Sequence, residues 1–195
     1  MSTSAPPAVP ATDWFKIPAP ADDGAASHLT GAALPDVALP ATDGGSVRLA
    51  SLKGRTVVFA FPRTGQPGQA ALAPDWDMIP GARGCTPQAC SFRDLHKVLV
   101  AAGAGAVYGL STQDTDYQRE VVGRLHLPFP LLSDAGLELA RALNLPTMQA
   151  GGHTLHKRFA LVIDGGRIKK VFYPVFPPDQ NAADVQAWLE ANPRT

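Results

Sequence analysis

The chain has 195 residues, as many basic as acidic side chains (17 each), a pI near 7, 45% hydrophobic and 17% charged residues. That length and composition fit one globular domain with a sizeable core, and the balanced charge gives no footprint for nucleic acid or an acidic membrane surface. No apolar run reaches the ~18 residues of a membrane span, and the first residues lack the basic and apolar regions of a secretory signal, so the expected location is the cytoplasm. Residues 1–33 are rich in Pro and Ala, show no periodicity and read as an irregular extension, which Trp14 and Phe15 would dock onto a body spanning 34–195. Val37–Leu39 and Val47–Leu49 flank a TDGGS turn and predict a short hairpin. Thr56–Phe61 is continuously apolar, β-branched and aromatic, as in a strand buried on both faces. Residues 62–84, studded with Pro and Gly, predict a long loop, a feature that in compact domains is usually functional or disordered. A helix is expected over about 87–102, with Phe92, Leu95, Leu99 and Ala102 at helical spacing. A strand at 106–110, a helix over 115–126, a short strand at 129–132 and a helix over 137–143 follow. Phe159–Asp164 and Arg167–Tyr173 flank a DGG turn and form a hairpin, and an amphipathic helix over 181–191 closes the chain. Strands alternating with helices predict an α/β domain.

The chemistry concentrates at the two cysteines, which sit within one short segment, Gly84-Cys-Thr-Pro-Gln-Ala-Cys90. Two thiols are too few for a secreted disulfide scaffold. Cys85 falls at a predicted helix start, where unpaired amides and the positive end of the helix dipole favour a thiolate; the competing reading is a buried, inert thiol. Thr86 is positioned to cap that helix. If both cysteines are helical, five residues of rise put their Cα atoms about 8.6 Å apart, beyond the ~7 Å limit for a disulfide, so a bond between them requires the first turn to unwind. Zinc fits poorly, because a structural site takes four ligands and no second cysteine pair exists. His153 and His156 form an H-x-x-H that is more simply a solvated or core pair.

Gly84–Asp94, GCTPQACSFRD, resembles the signature of peroxiredoxins of the bacterioferritin-comigratory-protein or peroxiredoxin Q type. Similar stretches flank it: LPDVALPATDGGSVRLASLKGRTVVFAFP, VYGLSTQD, LHLPFPLLSD and KRFALVIDGGRIKKVFYP, so that the resemblance covers roughly 34–192. It implies a thioredoxin-like fold, a central mixed sheet flanked by helices with an N-terminal hairpin, and a thiol peroxidase acting as a monomer without metal or organic cofactor. It implies that Cys85 attacks a hydroperoxide, that Cys90 resolves the product as an intramolecular disulfide, and that thioredoxin or a similar dithiol reduces it. Arg158 matches the family's active-site arginine, a fixed fork of donors that stays charged. In one place the chain departs from the pattern: where the family has Pro and Thr or Ser, seven and three residues before the cysteine, this sequence has Met78 and Ala82. Pro62 looks like the displaced proline, residues 65–82 read as an insertion that forms either a loop over the mouth of the Cys85 pocket or a surface excursion packed on itself, and Thr64 is the nearby hydroxyl that would replace the missing one. Two other classes remain open on these residues: a disulfide oxidoreductase of the same fold, disfavoured by the C-x4-C spacing, and a redox-sensing binding module whose long loop docks a partner.

Overall fold

A computed structural model describes residues 12–194. Its centre is a five-stranded sheet in the order β5-β4-β3-β8-β9. β3 (Thr56–Ala60) lies in the middle, parallel to β4 (Ala106–Ser111) and antiparallel to β8 (Phe159–Asp164). β5 (Leu131–Ser133) runs parallel to β4, and β9 (Arg167–Phe172) pairs with β8 through the Gly165-Gly166 turn. A small hairpin, β1 (Ala38–Pro40) with β2 (Ser46–Arg48), precedes the sheet.

The alternation of side chains along β3 divides the core. Val57, Phe59 and Phe61 face the layer made by α1 (Cys85–Asp94), α2 (His96–Ala101), α3 (Thr115–Leu125) and α5 (Asn181–Ala191). Val58 and Ala60 face α4 (Glu138–Leu143), the first hairpin and the segment before it. Since every residue of β3 is buried, no polar face is needed, which is why the sequence shows a continuous apolar run there. Phe59 stacks on Phe92 of α1 with ring centroids 4.1 Å apart and meets Phe129 edge-on at 5.6 Å. This fixes the second half of α1 to the sheet.

The residues ahead of β1 have little regular structure but pack closely. Ala26 and Leu29 are buried, and Gly31, Ala32 and Leu34 exchange backbone hydrogen bonds with Gly166 and Ile168 along the edge of β9. Trp14 docks on the loop before α5, its indole N–H donating to Asp179 at 2.9 Å, whereas Phe15 is fully exposed.

Three local expectations change. The helix expected over 87–102 starts two residues earlier, at Cys85, and is kinked at Leu95 into α1 and α2. Thr86 does not cap it: the cap position is Gly84, in the left-handed region at φ 108°, with no side-chain cap. An additional hairpin, β6 (Thr147–Ala150) with β7 (His153–His156), turns at Gly151-Gly152. Among the described residues no helix is long and apolar enough to cross a membrane.

Gly109 in β4 offers a direct test of this packing. A Cβ there would lie 2.4 Å from Leu131 Cδ2 and 3.0 Å from Phe59 Cζ. Overpacking of a closed core typically costs about 1–3 kcal/mol, so Gly109→Ala is expected to lose that much stability, seen as a urea midpoint lowered by the loss divided by an unchanged slope. A midpoint equal to wild type would show that the β4–β5 layer has slack.

Candidate active site

α1 presents its first residue, Cys85, to a cleft of about 300 Å³. Arg63, Thr64 and Gly65 from the segment that follows β3, Trp76 and Arg83 from the long loop, and Thr86 and Pro87 complete most of the lining. With Gly84 as the cap and no side chain occupying the helix end, the amides of Cys85 and Thr86 have no intrahelical acceptor. Gly84 is required twice over. Its φ is one that L side chains rarely adopt, and a Cβ would meet Pro178 Cγ at 2.5 Å and Trp14 at 2.9 Å.

Arg158 sits immediately before β8 and is 3% exposed. One of its amino groups donates to Cys85 Sγ at 3.3 Å and to the carbonyls of Gly81, Ala82 and Arg83 at 3.1–3.2 Å. The other donates to Gln88 Oε1 at 2.5 Å. Gln88 in turn donates to Asn181 Oδ1 at 2.9 Å. One guanidinium therefore holds the sulfur, the loop that leads into α1 and the first turn of α1 itself. It lies within hydrogen-bond reach of Cys85 Sγ, whose thiol also reaches the Ala82 carbonyl at 3.5 Å.

Thr64 is also buried. Its N–H and its hydroxyl both donate to Gln113 Oε1, at 3.0 and 3.1 Å, and its carbonyl accepts from Gln113 Nε2 and from the Tyr117 hydroxyl. Because the single hydroxyl proton is directed at Gln113, Thr64 Oγ1 can only accept from a molecule in the cleft.

Cys90 lies one and a half turns further along α1 and is buried in the helical layer. Both thiols are free. Burial pushes the Cys90 thiol above its ordinary value of 9.0, and Arg93 opposes that shift. Neutral Cys90 therefore supports the closed helix fully below pH 9.0, and this contribution fades as pH rises through its elevated value.

The two histidines of the H-x-x-H separate: His153 is exposed, while His156 is buried and bonded through Nε2 to Asp134 at 3.0 Å. Among the described residues no group of three or more His, Cys, Asp or Glu is placed to hold a metal. Sequence reasoning missed Gln88, Asn181 and Gln113. For Gln88 a signal existed, since it lies three residues after Cys85 and so on the same helical face; Asn181 and Gln113 arrive from distant elements and left none. Of the insertion's apolar residues, Trp76 borders the cleft, Leu72 packs under the β6–β7 turn at Gly151, and Met78 is 64% exposed.

The Redoxin family profile matches residues 29–189. The chain is 30% identical over 182 residues to the chloroplastic peroxiredoxin Q of Triticum aestivum, covering 90% of this chain and 76% of that protein. It is 31% identical over 163 residues to its counterpart in Oryza sativa subsp. japonica, covering 83% of this chain and 66% of the rice protein's length. Among solved structures, peroxidoxin BcpB from Mycobacterium tuberculosis superposes with a TM-score of 0.68 at 28% identity, over 86% of this chain and 100% of that one.

Two labelling experiments probe this geometry. Arg158→Met removes a charged donor from the sulfur, an interaction worth about 1.5–3 kcal/mol, so alkylation of Cys85 at neutral pH is expected to slow by one to two orders of magnitude. In the folded protein Cys90 should be alkylated far more slowly than Cys85 at neutral pH and gain steeply above pH 9.0. Both thiols are 3% exposed, but Cys85 lines the cleft and Cys90 does not, so equal labelling at neutral pH would contradict that placement.

Proposed function

This chain belongs to the Redoxin family, on its peroxiredoxin Q branch, and from that premise we propose that it is a thiol peroxidase with Cys85 as the attacking group and Cys90 as the resolving one. The observation that carries the reading is the 3.3 Å contact between the buried Arg158 guanidinium and Cys85 Sγ at a helix start. Arg158 stabilises the thiolate, which attacks the outer oxygen of a hydroperoxide. The S–O bond forms as the O–O bond breaks, the attacked oxygen keeps its hydrogen, and the departing alkoxide or hydroxide takes up a proton from solvent. The guanidinium and the free amides of the first turn are donors already in place for charge developing on the oxygens, the arrangement that usually supplies the largest share of such catalysis. Thr64 Oγ1 accepts the hydrogen bond from the peroxide O–H, and because Gln113 fixes its proton it orients the substrate rather than the sulfur.

Cys85 is left as a sulfenic acid. The first turn of α1 then unwinds, which releases Cys90 from burial and lowers its thiol toward the ordinary range. Cys90 attacks Cys85, water leaves, and thioredoxin or a comparable dithiol reduces the disulfide by thiol exchange. Both thiols lie in one helix of one chain, so the cycle needs no second copy and a monomer suffices for it.

Hydrogen peroxide consumption coupled to a thioredoxin system tests the assignment. Cys85→Ser should be inactive, since a serine hydroxyl is far too weak an acid to replace the thiol. Cys90→Ser should react once, stop, and on further peroxide accumulate the sulfinic form, while oxidised wild type carries a Cys85–Cys90 bridge by mass spectrometry. A disulfide oxidoreductase would instead turn over disulfides and spare peroxide, and a sensor would oxidise without recycling. Thr64→Val, which keeps shape and removes the hydroxyl, should cut the second-order rate with peroxide by about tenfold, with Thr64→Ser largely restoring it. A Thr64→Val enzyme as fast as wild type would remove Thr64 from the site.

A further inference from the structure

The cleft over Cys85 does not end at the sulfur. A second hollow of about 450 Å³, lined also by Gln66, Gln69, Ala70, Ala71, Leu72 and Tyr117, adjoins it, and the two share Arg63, Gly65 and Trp76 as their common wall. Hydrogen peroxide is only slightly larger than water, whose share of liquid volume is about 30 Å³. The cleft of about 300 Å³ already exceeds what that substrate fills, and the second hollow adds space that it cannot use. The combined volume is that of a site for an organic molecule.

The second hollow is built rather than incidental. Its inner edge is rigid: Gly65 O accepts from Arg124 at 2.9 Å, Thr64 is tied to Gln113 and Tyr117, and the Arg63 guanidinium lies 4.9 Å over the Tyr117 ring. Its outer wall comes from residues 65–82, the segment by which this chain departs from the family pattern. That wall is itself anchored, at Leu72 against Gly151, at Asp77 through its ion pair with Arg83, and at Gly81 through Arg158. Of the side chains it presents to the hollow, Ala70, Ala71, Leu72 and Trp76 are apolar, while Gln66 and Gln69 are polar.

We propose that this insertion forms a tail chamber for organic hydroperoxides with a bulky apolar substituent, with Trp76, at the junction, and Leu72 as specificity-determining residues. The peroxide group sits at Cys85 and the substituent passes Trp76 into the chamber. Chemistry is as for hydrogen peroxide: sulfur takes the outer oxygen, the O–O bond breaks, and the substituent leaves as its alcohol after gaining a proton. The proposal rests on the peroxidase reading above but fails separately from it.

The test compares cumene hydroperoxide with hydrogen peroxide. Ala71→Trp fills the chamber from a position that does not line the Cys85 cleft, and Leu72→Asp makes the chamber polar. In both variants KM for cumene hydroperoxide should rise by roughly tenfold, equivalent to about 1.4 kcal/mol, with kcat/KM for hydrogen peroxide and KM for thioredoxin unchanged. As a readout independent of turnover, cumyl alcohol should quench tryptophan fluorescence of Cys85→Ser, and the quench should vanish in the Cys85→Ser/Trp76→Phe double variant. Equal losses with both peroxides in folded variants, or no loss with either, would overturn the chamber, and so would a change confined to KM for thioredoxin, which would make it a docking surface for the reductant. If wild type reduces neither peroxide yet binds cumyl alcohol through Trp76, the peroxidase reading falls and the chamber stands.

Discussion

One guanidinium organises the active end of this molecule. Arg158 enters the site from the start of β8, a strand buried at the centre of the sheet, so its position is set by the core and not by the loops around it. From there it reaches the sulfur of Cys85, three consecutive carbonyls of the loop before it and the side chain of Gln88 behind it. Burying a charged group is tolerable only when it is closely partnered. Here the partners are the parts of the site that must stay in register, so the contacts that offset much of the burial also order the site, while Nε has no hydrogen-bond partner.

The second thiol imposes an opposing demand. Cys90 is held in the helical layer with its proton favoured by burial, and helical geometry keeps it too far from Cys85 to bond. The same helix that prepares the first sulfur thus withholds the second. The helix is fastened unevenly: its far half is locked by Phe92 stacked on Phe59, while its first turn depends on Gln88, on Arg158 and on the packing of Trp14 and Pro178 against Gly84. The half that would have to move is held by these polar contacts, the close approaches at Gly84 and the small buried Ala89, whereas the half that need not move is locked by a core aromatic.

Much of this was legible in the sequence. β3 announced itself because a strand buried on both faces has no polar positions, and the β8–β9 hairpin because Gly165-Gly166 supplies two positive φ angles between apolar runs. The segment from Gly84 to Cys90 marked the chemistry, and Arg158 followed from likeness. The β6–β7 hairpin was hidden because its strands are only four residues each and mix exposed and buried positions with polar and apolar side chains, so no alternation signals them. Thr86 failed as a cap because a backbone property of Gly84, invisible without a φ angle, took that place. Gln88 reaching Asn181 and Gln113 reaching Thr64 bridge 93 and 49 residues, and a single sequence carries no mark of such meetings.

Thr64 and Gly65, in the segment that follows β3, are fixed by Gln113, Tyr117 and Arg124, and residues 81–83 are fixed separately by Arg158. Neither anchor runs through the segment between them. Closure entropy grows only slowly with loop length, by about 0.6 kcal/mol for each doubling. The distance in sequence between the two halves of the site is therefore nearly decoupled from their distance in space. A chain built this way can lengthen or rewrite what hangs over its reactive sulfur while the atoms that touch that sulfur stay where the sheet has put them, so the segment is open ground on which new surface can arise.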